Sequence, residues 1–300
     1  MVQKGLFMNK IGIFTNFWEQ SWDFDHVKYI KKVSDIGFDV LEFQAQPLLD
    51  MTKGRMDELK AAADSAGIEL TYSLGLDPKY DISSADDNVR AGGVEYLKRI
   101  IEAVGYMDGK IISGVNYAGW GSPNYILDDK SDMVQRSLES VTKLVKTAED
   151  FGILYCVEVV NRFEGCILNT AQEAVDYVAK IDSPNIGVLL DTYHMNIEED
   201  NLGSAIRLAG DKLKGFHTGD NNRRCPGRGH IDFDEVFQAL ADVKYTGRIV
   251  SEPFVRMGGE VGLDIKVWRN LEDGTEAHLD SEAAYLLQFT QGMLKKYNMA

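Results

Sequence analysis

Residues 153–160 read ILYCVEVV and residues 185–191 read NIGVLLD, with a segment of helical period at residues 169–181 between them. Short runs rich in Ile, Val and Leu are typical of parallel strands that are buried on both faces. Two parallel strands need a long crossover connection, which is usually a helix. The stretch therefore predicts a strand–helix–strand unit.

The same alternation continues in both directions along the chain. We predict eight strands, at residues 10–17, 38–43, 68–74, 110–116, 153–160, 185–191, 212–217 and 247–252. The predicted helices are at residues 24–36, 54–66, 86–107, 129–151, 169–181, 199–210, 232–243 and 280–297. Eight strand–helix pairs favour a closed (β/α)8 TIM barrel over an open sheet, and no Gly-x-Gly-x-x-Gly turn follows the first strand.

The length of the chain fits one barrel domain. It has 300 residues, of which 44% are hydrophobic, and this is enough to bury a large core. The first strand pattern starts just after Met8, so we expect residues 8–300 to form a single catalytic barrel domain. Residues 1–7 are predicted to be an N-terminal extension. The long segment at residues 253–279 is predicted to cover the mouth of the barrel.

The charge of the chain argues against several classes of partner. The 32 Lys and Arg residues against 47 Asp and Glu residues give a net charge of −15, which repels nucleic acid and anionic membrane surfaces. The sequence shows neither an apolar stretch of about 18 residues nor a secretory signal. The three cysteines are an odd number without metal-binding spacing. We therefore expect a cytoplasmic protein without nucleic-acid or membrane partners.

Polar residues end four consecutive predicted strands, where the active sites of barrel enzymes lie. These residues are Glu158, Asp191, His217 and Glu252. Alone, Glu158 or Asp191 is equally compatible with a salt bridge, and His217 alone is more typical of a hydrogen-bonded core histidine than of a ligand. Together they predict a shared divalent cation, because isolated buried carboxylates cost several kcal/mol. Three oxygen donors and one imidazole favour Mn²⁺ first, with Co²⁺ or Mg²⁺ as alternatives.

Longer strings around these residues resemble the ketose 3-epimerase family, which contains D-tagatose 3-epimerase and D-psicose (D-allulose) 3-epimerase. The resemblance extends from about Met8 to the C-terminus. The strings are EVVNRFE at 158–164, LDTYHMNIEE at 190–199, FHTGDNNR at 216–223, EPFVR at 252–256 and DIKVWR at 264–269.

The resemblance implies an isomerase that interconverts free ketohexoses at C3, such as D-tagatose with D-sorbose and D-fructose with D-psicose. It implies that Glu158 and Glu252 are metal ligands and also the acid/base pair, which transfers protons through a metal-stabilised enediolate. It further implies a homodimer or homotetramer. The residues that the resemblance assigns to the ketose oxygens at C1 to C3 are Glu164, His194 and Arg223. Those that it assigns to an apolar wall are Phe14, Trp22 and Trp120.

Other interpretations share parts of this pattern. An aldose–ketose or hydroxypyruvate-type isomerase on the same barrel would use the same metal site and move hydrogen between C1 and C2. The segment at residues 227–233 reads more like such sugar-isomerase barrels than like the epimerases. A non-catalytic sugar-binding protein would not require two carboxylates at a buried metal. Glu164 can alternatively be the salt-bridge partner of Arg162.

Overall fold

Eight parallel strands close into a barrel, in which each strand pairs with the next and β8 pairs with β1. The computed structural model describes residues 9–121, 123 and 127–299. The strands are β1 (Ile11–Phe14), β2 (Val40–Gln44), β3 (Glu69–Gly75), β4 (Ile111–Val115), β5 (Leu154–Val159), β6 (Ile186–Asp191), β7 (Leu213–Thr218) and β8 (Ile249–Ser251). The predicted TIM barrel is confirmed. The predicted extension at residues 1–7 lies outside the described residues, as do the two ends of the predicted domain, Met8 and Ala300.

Helices cover the outside of the barrel, and α9 (Gly259–Asp264) lies near its mouth. They are α1 (Val27–Ile36), α2 (Lys53–Ala66), α3 (Asp87–Tyr106), α4 (Ser131–Asp150), α5 (Ala171–Val178), α6 (Thr192–Glu198), α7 (Leu202–Ala209), α8 (Phe233–Asp242), α9 (Gly259–Asp264) and α10 (Glu276–Lys296). In the described part of the chain, no helix combines the length and the apolar character needed to cross a membrane.

The predicted helix at residues 199–210 is wrong in its start. The chain forms α6 directly after β6, because the Asp191 side chain accepts a hydrogen bond from the backbone N–H of Tyr193 and caps the helix. Glu199 is extended and ends α6. A new N-cap, Asn201, then starts α7 by accepting a hydrogen bond from the N–H of Ser204. The prediction therefore missed α6 and placed the start of α7 three residues early.

The first and last strands are shorter than predicted. β1 stops at Phe14, and Thr15–Phe17 form a turn of 3-10 helix. A glycine between a helix and the next strand favours a left-handed helix end, and Gly37, Gly67 and Gly152 adopt this conformation. Gly247 does not have this conformation, and Lys244 adopts it instead with φ of 54°. The reason is that α8 ends at Asp242, so the turn that follows it is complete before Gly247.

The interior of the barrel is apolar below the functional end. Cys156 and Leu189 pack with Ile111 in a small buried cluster. Side chains two residues apart on a strand point to the same face, so this cluster lies directly below Glu158 and Asp191. The carboxylates therefore lie on an apolar floor, which keeps water from reaching them from below.

Gly114 in β4 offers a test of how closely neighbouring strands of the barrel approach each other. Its φ is 101°, and a Cβ atom would lie 2.2 Å from the carbonyl oxygen of Leu74 on β3. Gly114→Ala should therefore lower the free energy of unfolding by at least about 1–3 kcal/mol. Gly92→Ala is the matched control, because Gly92 lies within α3 with no atom near its Cβ position. The control should be neutral or stabilising by up to about 1 kcal/mol. Denaturant unfolding of both variants measures the difference, and equal midpoints would contradict the packing argument.

Candidate metal centre

The four strand-end residues predicted to bind a metal come together at the mouth of the barrel. Glu158, Asp191, His217 and Glu252 each offer one ligand atom, and these atoms lie within 4.8 Å of one another. All four side chains are buried. Adjacent strands produce this convergence, since Asp191 on β6 is in register with His217 on β7, and Glu252 directly follows β8.

Two buried atoms in this cluster have no hydrogen-bond partner among the described residues: Asp191 Oδ2 and His217 Nδ1. The other oxygen of Asp191, Oδ1, accepts the 2.6 Å hydrogen bond from the N–H of Tyr193. That cap fixes the carboxylate and leaves Oδ2 directed away from α6. Unpaired buried acceptors are costly. Three carboxylates with an imidazole nitrogen fit a divalent cation that prefers oxygen ligands.

The pKa shifts of the carboxylates in the cluster also favour a bound cation. Burial, followed by repulsion from Glu252, raises the pKa of Glu158 well above its ordinary value. Burial raises the pKa of Glu252 to about 7, although His217 and Arg223 oppose this rise. Two neighbouring carboxylates resist being ionised together in a dry site. A bound divalent cation removes this penalty, because it favours the charged form of both groups.

One buried carboxylate beside the cluster was not predicted. Glu42 on β2 places Oε1 at 2.8 Å from His217 Nε2. Burial alone would lower the pKa of His217, but the charge of Glu42 and a hydrogen bond to it raise that pKa to about 10. The rule that selected the four metal-site residues applies to Glu42 too, because it follows the apolar residues Val40 and Leu41 near the end of a strand.

Three further predicted residues form a polar group next to the metal cluster. Arg223 Nη2 donates a 3.0 Å hydrogen bond to Glu164 Oε1. Its Nη1 lies 3.5 Å from Glu252 Oε2. Burial alone would raise the pKa of Glu164, but His194 and Arg223 lower it overall, so this carboxylate is ionised. Arg162 pairs instead with Glu198, so the alternative partner considered for Glu164 is wrong.

Neighbouring groups determine the protonation of His194. Its Nδ1 accepts a hydrogen bond from the backbone N–H of Asn161 at 3.2 Å. Burial lowers the pKa of His194, which favours the neutral ring. In a neutral ring whose Nδ1 is an acceptor, the proton is on Nε2. That nitrogen lies 3.9 Å from Glu158 Oε1, so His194 offers a hydrogen-bond donor at the cavity.

Aromatic side chains form the opposite wall of the cavity. Trp22 and Trp120 line it together with Phe254 and Ile265, which were not predicted. Trp22 packs edge-on against both Trp120 and Phe254, with ring centroids 6.4 Å apart in each pair. Phe14 is fully buried behind this wall and packs against Phe254 at 5.8 Å. Phe14 thus supports the wall, whereas the two tryptophans face the cavity.

The segment predicted to cover the mouth does contribute to the cavity. It contains α9, and Ile265 directly after α9 lines the cavity. Hydrogen bonds attach it to the loop after β1, from Trp22 Nε1 to Asp264 at 2.8 Å and from Ser21 Oγ to Glu260 at 2.8 Å.

The segment at residues 227–233, which departs from the epimerase pattern, lies outside the wall of the cavity. The buried carboxylate of Asp220 accepts backbone hydrogen bonds from Gly227, Gly229 and Ile231. These bonds organise the loop, and the residues that line the cavity do not include any of 227–233. The departure therefore affects a loop outside the cavity wall.

The chain is similar to known sugar epimerases over nearly its whole length. Residues 30–280 match the family described as Xylose isomerase-like TIM barrel. D-psicose 3-epimerase from Ruminiclostridium cellulolyticum is 44% identical over 287 residues, which are 95% of this chain and 98% of that enzyme. D-psicose 3-epimerase from Agrobacterium fabrum is 40% identical over 95% of this chain and 99% of that enzyme. The crystal structure of D-psicose 3-epimerase with D-tagatose from Clostridium cellulolyticum H10 has a TM-score of 0.93 at 44% identity, covering 95% of this chain and 99% of that chain.

Metal binding should stabilise the protein in a pH-dependent way. Mn²⁺ at 100 times its dissociation constant should add about 2.7 kcal/mol to the free energy of unfolding, and EDTA should reverse this. Affinity should be higher at pH 8 than at pH 6, because the ion must displace protons from Glu252, with its pKa of about 7, and from Glu158 and His217. Thermal melts and calorimetric titration of the metal-free protein with Mn²⁺, Co²⁺ and Mg²⁺ measure both effects. Absence of binding by all three ions, or an affinity independent of pH, would contradict the assignment.

Proposed function

Because the chain belongs to the ketose 3-epimerase family, isomerases with a xylose isomerase-like TIM barrel, we propose that it interconverts free ketohexoses at C3. The observation that carries the proposal is the pair of buried carboxylates, Glu158 and Glu252, beside a common metal position. D-fructose with D-psicose is the first substrate pair, since the relatives named above are D-psicose 3-epimerases. D-tagatose with D-sorbose is the second, supported by the D-tagatose in the similar crystal structure.

Epimerisation at C3 requires a base on each face of the carbon. The proton next to the ketone leaves from one face, and a different proton returns to the other face. Glu158 on β5 and Glu252 after β8 approach the metal position from different strands, so one carboxylate can serve each face. General acid/base action by each group should contribute roughly 10²–10⁴-fold to the rate.

The bound divalent ion, for which we propose Mn²⁺ before Co²⁺ or Mg²⁺, would act as a Lewis acid on the ketose oxygens next to C3. Glu158, Asp191, His217 and Glu252 would hold it. Asp191 and His217 are fixed by neighbours outside the cluster, Tyr193 and Glu42. This leaves the two glutamates as the members of the set that can also transfer a proton.

The polar group beside the cluster would orient the sugar. His194 offers its Nε2 proton, and Arg223 has Nε and Nη1 without a hydrogen-bond partner among the described residues. Glu164 can accept from a sugar hydroxyl, because it is ionised and already held by Arg223 and Trp120. We propose that these three residues bind the oxygens at C1 to C3 and hold C3 between the two glutamates.

The aromatic wall would contact the far end of the ketose. Trp22 and Trp120 offer ring faces and edges there, with Phe14 supporting Phe254 from behind. An apolar wall discriminates weakly between sugars that differ only in the direction of a hydroxyl group. We therefore propose activity on several free ketohexoses. The expected homodimer or homotetramer stays a prediction.

The acid/base pair can be tested by isosteric substitution. Glu158→Gln and Glu252→Gln should each lower kcat by at least about 10²-fold, because the amide can neither take nor return the C3 proton. Glu282→Gln is the control, since Glu282 is a buried carboxylate paired with Arg228 away from the cavity. Bound metal is measured by elemental analysis alongside each rate. A variant of either catalytic glutamate that binds metal normally and keeps the wild-type rate would exclude the two-base mechanism.

Solvent deuterium distinguishes the 3-epimerase from an isomerase that moves hydrogen between C1 and C2. In D₂O the product ketose should gain deuterium at C3, because the second carboxylate delivers a proton that did not come from the substrate. Over many turnovers the recovered substrate should also become labelled at C3, since the two carboxylates exchange roles in the reverse direction. NMR of D-fructose, D-psicose, D-tagatose and D-sorbose incubations locates the label. Deuterium at C1, or an aldose product, would support the C1–C2 isomerase instead.

A further inference from the structure

We propose that Glu42 is a positioning residue that holds His217 with Nδ1 directed at the metal and thereby strengthens metal binding. This inference rests on the proposed metal centre. Glu42 is not one of the four residues that converge on the metal position. It belongs to β2, on the side of the barrel opposite β6.

The position of Glu42 is unusual for a charged residue. It lies within a strand, its exposed fraction is 2%, and no Lys or Arg pairs with it among the described residues. A buried carboxylate without a compensating partner is strongly destabilising. The imidazole of His217, 2.8 Å away, is the group that compensates it.

The two carboxylate oxygens of Glu42 have different neighbours. Oε1 faces His217 Nε2, and Oε2 accepts a 2.7 Å hydrogen bond from Thr71 Oγ1. Thr71 lies next to Glu42 in the register of β2 and β3, so the backbone itself keeps the two side chains together. The backbone carbonyl of Glu42 also accepts a hydrogen bond from Thr15 Oγ1. This carboxylate is therefore held rigidly and is directed at one atom of His217.

The consequence for His217 is a fixed orientation. In the neutral ring that metal ligation requires, a carboxylate oxygen at 2.8 Å from Nε2 keeps the proton on that nitrogen and leaves the Nδ1 lone pair for the metal. Nδ1 lies 3.8 Å from Glu158 Oε1 and 3.9 Å from Glu252 Oε2, and it has no hydrogen-bond partner among the described residues. Carboxylates that orient a ligating histidine in this way typically contribute 10–100-fold to metal affinity.

Two substitutions separate the hydrogen bond from the charge. In Glu42→Gln the side-chain oxygen can still accept from His217, while Thr71 Oγ1 can accept from the new amide. Glu42→Ala removes both the acceptor and the charge. The matched control is Glu282→Gln, which replaces another buried carboxylate, with 7% exposed, in the ion pair with Arg228. None of these residues is a proposed metal ligand or catalytic group.

The experiment measures the dissociation constant of Mn²⁺ from metal-free protein by the EPR signal of free Mn²⁺. We expect Glu42→Ala to weaken binding about 10–100-fold, Glu42→Gln to weaken it less, and Glu282→Gln to leave it unchanged. Saturating Mn²⁺ should restore most of kcat in Glu42→Gln, with KM for the ketohexose close to wild type. The absorption spectrum of Co²⁺-loaded Glu42→Ala should also shift relative to wild type, because a rotated imidazole changes the ligand geometry.

Several outcomes would overturn the proposal. Wild-type Mn²⁺ affinity in a folded Glu42→Gln and Glu42→Ala, with only the melting temperature of the metal-free protein lowered, would show a purely structural carboxylate. Equal weakening in Glu282→Gln would show a general effect of buried charge. If Glu42→Ala does not fold, Glu42→Met replaces it, because Met fills a similar volume without an acceptor for His217, and unchanged affinity in Glu42→Met then refutes the role. These readouts require no epimerase activity, so they remain valid if the wild-type protein binds Mn²⁺ but acts on a different carbon.

Discussion

Repulsion among buried carboxylates is the constraint on which the rest of the site depends. Glu42, Glu158, Asp191 and Glu252 lie in the same part of the barrel, and all are shielded from water. His217 contacts Glu42 and lies near the two glutamates, so it compensates only part of this negative charge. A divalent cation would balance the remainder. The acidic cluster is thus stable as a metal site and costly without one.

The barrel supplies the rigidity that this arrangement requires. Glu158, Asp191 and His217 belong to hydrogen-bonded strands, and Glu252 begins the connection after β8. Below them, the apolar side chains of Cys156, Leu189 and Ile111 keep the interior dry. Groups held on rigid elements lose little freedom on binding a ligand, which favours both metal affinity and correct orientation of a substrate.

The cavity divides into two halves with different chemistry. Glu164, His194 and Arg223 form a polar side, in which Glu164 accepts a hydrogen bond from Arg223 and Asn161 contacts both Glu164 and His194. Trp22, Trp120, Phe254 and Ile265 form an apolar side, part of which comes from the segment after β8. A sugar bound across both halves would have its reacting carbon fixed by the polar side. Its far end would meet a surface that tolerates variation.

The sequence by itself determined the barrel and the four metal-site residues, because both follow from local patterns. Short apolar runs alternating with helical periods predict the eight strand–helix pairs, and polar residues such as Asp191 and His217 stand at the ends of those runs. Only the tertiary structure decided the support of the wall by Phe14, the partner of Glu164, and the contact of Glu42 with His217. These features depend on side chains from strands or loops far apart in the chain. Closure of the barrel sets the distances between these side chains, and a local period or spacing in the sequence cannot predict them.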